Sequence, residues 1–369
     1  MTVGVVGAGQ LGRMLALAGY PLGLDFLFLG RAADSPAGQL APTLVGELAD
    51  PGLLRELTTR CNVITFDWEN ASVSALRAAS RGRRVRIAPP LRALAVGQDR
   101  VAEKKLFNKL RIPTTRCAAV NSYAALQRAV RQIGLPGVLK TRRFGYDGKG
   151  QIMLRTASQL PGAWQQLGAA PLLYEEWIDF DSEVSAIGAR ARDGTVALYP
   201  LSRNFHHQGI LRLTLAPWDK PALLRLAQRY LRAVLEELDY VGVLAIEFFV
   251  RGRQLLANEL APRVHNSGHW TIEGAQTSQF ENHLRAILDL PLGSTRPRGF
   301  AAMINLLGAV PARARLLAAA GVHLHDYGKQ PRAGRKVGHC TIVEATAKAR
   351  DARARRLLRD YYPQLPLIP

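Results

Sequence analysis

Short apolar runs alternate with segments of helical period along the first part of the chain. Val3–Val6, Phe26–Leu29 and Val63–Phe66 are rich in β-branched and large apolar residues. Between them lie the helical stretches Arg13–Ala18 and Pro51–Arg60, the second with proline at its start. Apolar strands alternating with helices predict a parallel sheet covered on both faces, so residues 1–98 are expected to form an α/β domain. The rhythm then changes. A charged amphipathic helix over Asp99–Leu110 stops at Ile112-Pro113. Helix Ala124–Ile133, strand Val138–Lys140, a glycine-rich loop and strand Gln151–Leu154 follow, giving a small α+β unit over 99–173. The third unit, 174–369, is also read as α+β. Its predicted strands are Leu172–Trp177, which straddles the boundary, Glu183–Ala189, Val196–Pro200, Gly242–Phe249 and Gln254–Leu260. Helix Lys220–Leu238 lies among them, and the stretch from Phe300 to the end reads as mixed. There is no internal repeat or low-complexity linker, and three directly joined lobes place a site between them.

Composition narrows the class. A chain of 369 residues that is 48% hydrophobic and 7% aromatic is ordinary for a globular protein of two or three domains. Cys61, Cys117 and Cys340 are far apart and odd in number, which argues against a disulfide framework or a thiolate zinc site and fits a reducing cytosol. The apolar stretch Met14–Leu24 lacks a preceding basic region, and no apolar run reaches the ~18 residues of a membrane span. A cytoplasmic location is expected. The net charge of +20 is mostly arginine spread along the chain. Its local concentrations, Arg81–Arg86 and Lys348–Arg359, have no interleaved aromatics to stack bases. The second reads as an amphipathic helix with Leu357 and Leu358 facing inward. The charge is therefore assigned to solvated surface and phosphate sites rather than to nucleic acid.

Two glycine motifs carry candidate chemistry. Gly7-Ala-Gly9-Gln-Leu-Gly12, between strand and helix, allows a phosphate at a helix N-terminus, a nicotinamide cofactor or simply a tight turn. Gly30-Arg31 stands where a dehydrogenase would place an acidic residue for the ribose, which disfavours the nicotinamide reading. The second motif, Phe144-Gly145-Tyr146-Asp147-Gly148-Lys149-Gly150-Gln151, joins two strands and so is not a Walker loop. A basic glycine-rich hairpin of this kind is either a hairpin tip with solvated lysines or a cover that can fold over a triphosphate, with Lys140 placed to reach the phosphates from a strand end.

Glu247 and Glu259 each interrupt an apolar strand, where an unpaired carboxylate is costly. With a five-residue connection, Val250 facing Leu256, the antiparallel register sets Glu247 opposite Glu259. Two opposed carboxylates require either an arginine partner for each or a cation between them, and for the cation oxygen ligands beside a phosphate point to magnesium. An even-length connection would break this alignment. Downstream, Arg263, His265, Asn266, Ser267, His269 and Thr271 form a donor-rich segment suited to a small oxyanion, and Lys329, Arg332, Arg335 and Lys336 form a basic turn.

In this order the chain resembles the ATP-grasp superfamily, and within it the 5-(carboxyamino)imidazole ribonucleotide synthase family. The matching segments are GAGQLGRM, FGYDGKGQ, YEEWIDFDSEVS, GVLAIEFFV, NELAPRVHNSGHWTIEGAQTSQFENHLRAI and GRKVGH. The resemblance implies an ATP-grasp fold: a parallel-sheet N-terminal domain, a small lid domain and a larger C-terminal domain. It implies that Arg100, Lys140 and Gly145–Gln151 contact ATP phosphates, with Lys149 also catalytic. Glu175, Glu176, Trp177 and Ile178 would hold adenine through the backbone, Glu183 the ribose, and His206 and Asn258 would lie near the nucleotide. Glu247 and Glu259 would bind magnesium. Arg263, His265 and Asn266 would hold bicarbonate and then carboxyphosphate. Gln10, Leu11, Tyr146, Asp147, Arg263, Lys329, Arg335 and Lys336 would receive 5-aminoimidazole ribonucleotide. A homodimer is implied by analogy. The chain departs from the family pattern at Gln208 and Asp67, which stand where an aspartate and a longer carboxylate are usual.

Overall fold

A computed structural model describes residues 1–145 and 150–362. The first domain is a five-stranded parallel sheet of β1 (Thr2–Val6), β2 (Asp25–Gly30), β3 (Thr43–Val45), β4 (Val63–Phe66) and β5 (Arg86–Ile87), in the order β3-β2-β1-β4-β5. Strand alternation sends Val3, Val5, Phe26 and Phe28 to one face and Val6, Leu27 and Leu29 to the other. The second face packs on helix Pro51–Arg60 through Leu54 and Leu57. The first face is covered by helix Gln10–Gly19 and by Phe280 and Leu284 of helix Gln279–Ile287, which belongs to the third unit. His283 of that helix ties the units together, with Nε2 on Thr65 Oγ1 (2.8 Å) and Nδ1 accepting from Val243 N–H (3.1 Å).

The second sheet is antiparallel: β6 (Cys117–Val120), β7 (Gly137–Thr141), β8 (Gln151–Leu154) and β9 (Leu172–Glu176), ordered β6-β9-β7-β8. The expected boundary at residue 173 falls inside β9, which belongs wholly to this sheet because its partners β6 and β7 flank it through Glu175 and Glu176. Helix Tyr123–Ile133, capped by the Ser122 hydroxyl, buries Leu126 and Val130 against it.

The third sheet has nine strands: β10 (Ser182–Arg190), β11 (Val196–Leu198), β12 (Ser202–His207), β13 (Ile210–Ala216), β14 (Gly242–Arg251), β15 (Gln254–Ala261), β16 (Phe300–Gly308), β17 (His323–Asp326) and β18 (Arg332–Glu344). Its order is β15-β14-β10-β12-β13-β16-β18-β17, with β11 beside β10. Helix Pro221–Glu237 packs on it through Leu231, Val234 and Leu235. The β12–β13 hairpin escapes the hydrophobic pattern because polar Arg203, Asn204, His206 and His207 occupy β12. It turns at Gln208 and Gly209, with φ of 52° and 75°. Gln208 thus occupies a left-handed turn position that asparagine and aspartate tolerate better than glutamine. The helix Ala347–Tyr361 buries Leu357 and Leu358, as its pattern predicts, and also Arg350.

Candidate active site

The first glycine turn is filled by the protein itself. β1 and β4 are parallel neighbours, so the end of β4 delivers Asp67 to the start of helix Gln10–Gly19. Gly9 N–H and Gly12 N–H donate to Asp67 Oδ2 at 2.6 and 3.1 Å. A Cβ on Gly7 would lie 1.6 Å from Asp67 Oδ1, so this glycine makes room for a carboxylate. Burial raises the Asp67 pKa, and the two amides and the charges of Arg263 and Lys329 oppose that rise. This arrangement displaces both the phosphate and the nicotinamide readings of the motif: its amides serve an internal carboxylate.

Glu247 and Glu259 are opposite each other, by a route other than the expected one. The connection is a two-residue turn at Gly252 and Arg253, with Arg251 facing Gln254 and Val250 facing Leu255. That even connection would place Asn258 opposite Glu247. A bulge between Phe248 and Glu247 inserts Asn258 as an extra residue and restores the Glu247–Glu259 pair. Burial, then the charges of Glu259 and Glu183, raise Glu247 despite the cations His206 and Lys336. Glu259 lies 3.7 Å from Arg100 Nη1 at the start of helix Arg100–Lys109. Among the described residues no group of three or more His, Cys, Asp or Glu side chains is arranged to hold a metal. The all-oxygen pair nevertheless fits magnesium, which commonly binds one or two carboxylates and fills its remaining positions with phosphate and water. A cation would also relieve the desolvated, like-charged Glu247.

On the other side stands a buried ion network. Lys140, on β7, is next to Glu175 on β9 because those strands pair. Its Nζ meets Glu175 Oε2, and Lys104 Nζ meets Oε1 at 2.7 Å. Thr115 Oγ1 also donates to Glu175 Oε1 at 2.6 Å. Burial pushes Glu175 up, but Lys140 and Lys104 outweigh it and hold the carboxyl far below its ordinary range. In the adjoining segment, Glu176 N–H and Trp177 N–H are engaged by Arg116 O and Pro136 O at 2.9 and 3.2 Å. These two amides of the segment expected to hold adenine through its backbone are therefore used internally. Ile178 is buried and Trp177 is exposed. Glu183 Oε2 and His206 Nδ1 are in contact at 2.5 Å across neighbouring strands. Burial lowers His206, while contact with Glu183 and the charge of Glu247 raise it overall. Gln151 pairs with Lys140 in β8, and Gly150, at φ 71°, accepts from the N–H of neighbouring Thr141 at 2.8 Å. Tyr146, Asp147, Gly148 and Lys149 lie outside the described residues.

The donor-rich segment leaves β15 directly beside Glu247. Arg263 Nη2 pairs with Glu69 of the first domain, and Nη1 donates to Val264 O at 2.9 Å. His265 Nδ1 lies 3.9 Å from Glu247 Oε1. Burial and neighbouring cations, Arg263 first, push His265 well below its ordinary pKa, so the ring is neutral at pH 7. Ser267 N–H donates to His265 Nδ1 at 3.3 Å, with the Ser267 hydroxyl at 2.8 Å. With Nδ1 accepting, the proton sits on Nε2, which becomes a donor. Asn266 and Asn305 exchange side-chain amide hydrogen bonds at 3.0 and 2.7 Å. Buried Gln279 fastens His265 through both main-chain groups, at 3.0 and 2.7 Å.

Of the residues expected to meet a third substrate, Lys329 Nζ bonds Gln10 Oε1 (2.6 Å) and Lys336 O (3.1 Å), joining β18 to the first helix. Arg335 donates to Gln330 O at 3.2 Å within its own turn. The Leu11 side chain packs in the hydrophobic core with Phe28 and Leu15, as an apolar face of an amphipathic helix requires, so a ligand would meet its main-chain atoms. Glu103, Lys104 and Asn305 belong to no motif and escape a reading of the sequence, whereas Glu69 and Gln279 lie in segments that carry the resemblance but had no role assigned. The one available signal is for Glu103 and Lys104, two opposite charges in a helix that must pack against apolar strands.

Residues 1–98 match a ribonucleotide synthetase preATP-grasp domain, 105–280 an ATP-grasp domain, and 301–353 a phosphoribosylaminoimidazole carboxylase C-terminal domain. The chain is 50% identical over 361 residues to N5-carboxyaminoimidazole ribonucleotide synthase of Pseudomonas aeruginosa, covering 97% of this chain and 99% of that one. It superposes on the crystal structure of N5-carboxyaminoimidazole ribonucleotide synthetase from Thermus thermophilus with a TM-score of 0.94 and 48% identity, over 100% of both chains. A synthase from Aspergillus clavatus, solved in complex with ADP and 5-aminoimidazole ribonucleotide, aligns with a TM-score of 0.90 and 30% identity over 99% of each chain. No described helix is long and apolar enough to cross a membrane.

Proposed function

The chain belongs to the N5-carboxyaminoimidazole ribonucleotide synthase family of ATP-grasp enzymes, and on that premise we propose how its residues divide the work. The reaction is the ATP-dependent carboxylation of 5-aminoimidazole ribonucleotide in purine biosynthesis. ATP lies between the Lys140 strand and the Glu247–Glu259 hairpin, with Arg100, Lys140 and the loop from Gly145 to Gln151 on its phosphates. Glu176 to Ile178 border the adenine, Glu183 the ribose, and His206 and Asn258 the nucleotide. Glu247 and Glu259 hold magnesium, which supplies charge neutralisation on the triphosphate. Arg263, the Nε2–H of His265 and Asn266 hold bicarbonate in line with the γ-phosphate. Bicarbonate oxygen attacks that phosphorus, releasing ADP and forming carboxyphosphate. The exocyclic amine of the ribonucleotide then attacks the carboxyl carbon and phosphate leaves. Lys329, Lys336 and Gln10, joined in one contact, receive the ribonucleotide with Arg335. These steps ask for positioning and charge neutralisation rather than covalent catalysis by the protein.

The observation that carries this reading is the bulged register that sets Glu247 opposite Glu259 between Arg100 and His265. The test is ADP release with 5-aminoimidazole ribonucleotide and either bicarbonate or formate. Turnover is expected only with bicarbonate, and a formate-dependent rate with no bicarbonate dependence would overturn the assignment. The resemblance also assigns a cytoplasmic homodimer, and sedimentation velocity of the purified protein tests the dimer.

A further inference from the structure

The hairpin that carries Glu247 and Glu259 is gripped from outside by one helix. β15 is the edge strand of its sheet, so its outward main-chain groups have no neighbouring strand to pair with. Ala257 N–H is met by Pro113 O at 2.7 Å. The carbonyls of Ala257 and Asn258 both accept from Lys104 Nζ at 3.1 Å. Leu260 N–H donates to Glu103 Oε1. Adjacent residues of helix Arg100–Lys109 therefore hold the carbonyls of 257 and 258 and the amide of 260, the peptides on either side of the bulge. Both residues are buried, at 2% and 3% exposure, so these contacts are made without competing water. Lys104 has a third partner, Glu175 Oε1 at 2.7 Å, and the other oxygen of that carboxylate holds Lys140.

We infer that Glu103 and Lys104 are positioning residues that lock the bulge at Asn258, and with it the register in which Glu259 faces Glu247. The physical case is one of register. Continued without the bulge, the pairing of Phe248 with Ala257 puts Asn258 opposite Glu247 and turns Glu259 to the other face of the sheet. A bulge also forfeits ladder bonds, and here an ammonium and a carboxyl oxygen of the helix replace them. Through Glu175, Lys104 further sets the distance between that hairpin and the Lys140 strand, so the metal and phosphate halves of the site share one buried charge. The inference rests on Glu247 and Glu259 being the metal ligands.

The test is calorimetric titration of Mg²⁺ into the full-length protein saturated with a non-hydrolysable ATP analogue, with thermal unfolding to show that each variant is folded. Glu103→Leu and Lys104→Met are expected to weaken Mg²⁺ binding on the order of 10- to 100-fold, as loss of a group supporting a metal ligand does. Glu103→Gln keeps an acceptor oxygen for Leu260 N–H and is expected to recover most of the loss seen with Glu103→Leu. Lys104→Arg provides the alternative if the methionine variant does not fold. Its planar guanidinium cannot bring one nitrogen to two carbonyls and Glu175 together, so the same weakening is expected. Folded Glu103→Leu and Lys104 variants with wild-type Mg²⁺ affinity, even at lower melting temperature, would overturn the inference. A wild-type protein that binds no Mg²⁺ with the nucleotide would instead overturn the assignment of Glu247 and Glu259.

Discussion

Glu175 and Glu247 are both glutamates at inward positions of apolar strands, and the protein treats them in opposite ways. Glu175 has two ammonium partners and a hydroxyl donor, and its pKa is driven down against its burial. Glu247 faces another carboxylate across the strand, and burial and that neighbour drive its pKa up. The first is a charge compensated within the fold, and it joins helix Arg100–Lys109 to the second sheet. The second is an unbalanced charge whose stability is improved by a ligand rather than by the fold. Buried carboxylates are thus separated by their compensation, and burial alone does not identify a site.

The largest expected effect breaks this contrast on the Glu247 side. Glu259→Gln or Glu247→Gln removes a charge from the proposed metal pair, and several kcal/mol of transition-state stabilisation go with it. ADP release should fall by at least about 100-fold. Glu247→Gln should at the same time raise the melting temperature of the metal-free protein, because a desolvated like-charged group is gone. An active Glu247→Gln enzyme would remove the distinction drawn here.

The matching change on the other side has the opposite signature. Glu175→Gln leaves Lys104 and Lys140 without their shared counter-ion, and breaking a buried pair in this way costs about 3–5 kcal/mol. Urea unfolding should show that loss without added magnesium or nucleotide.

Titration sharpens the comparison further. Glu247 and Glu103 are raised, to about 7 and about 8, mainly by burial. Their protonated forms are favoured by folding, so their contribution to stability is fully present below about pH 4.5, the ordinary glutamate value. It is lost as pH rises through about 7 to 8. Glu175 is depressed, so its contribution is present above about pH 4.5 and is lost as pH falls through its low folded value. The metal-free protein should therefore unfold at lower urea at pH 8.5 than at pH 6, and magnesium should narrow that difference.

The smallest effect lies in the β12–β13 turn beside His206. Gln208→Asn should stabilise the protein by a few tenths of a kcal/mol, because asparagine adopts positive φ more readily, and should leave nucleotide affinity unchanged. A weakened affinity would mean that Gln208 does more than turn the chain.

Much of the fold was readable along the chain because it depends on short-range periodicity. The three parallel strands at Val3, Phe26 and Val63 and the helices Pro51–Arg60 and Pro221–Glu237 all follow from alternation, helical period and caps. The β12–β13 hairpin and β16–β18 were not readable. Polar site residues interrupt the first, and the third unit's later strands pair with partners far away in sequence. Of the site, two glutamates in apolar strands and the donor-rich segment after them marked themselves by being out of place.

The sequence by itself determined which residue types were available and that Glu247 and Glu259 shared a hairpin. Only the tertiary structure decided what compensates each of them. The bulge that aligns the pair is held by Lys104, more than 150 residues earlier in the chain. The glycine turn that looked ready for a phosphate is taken by Asp67, 58 residues from Gly9. Register, burial and charge balance come from groups that meet only when three sheets pack together. A local pattern can signal that a carboxylate is costly, but not which distant partner offsets that cost.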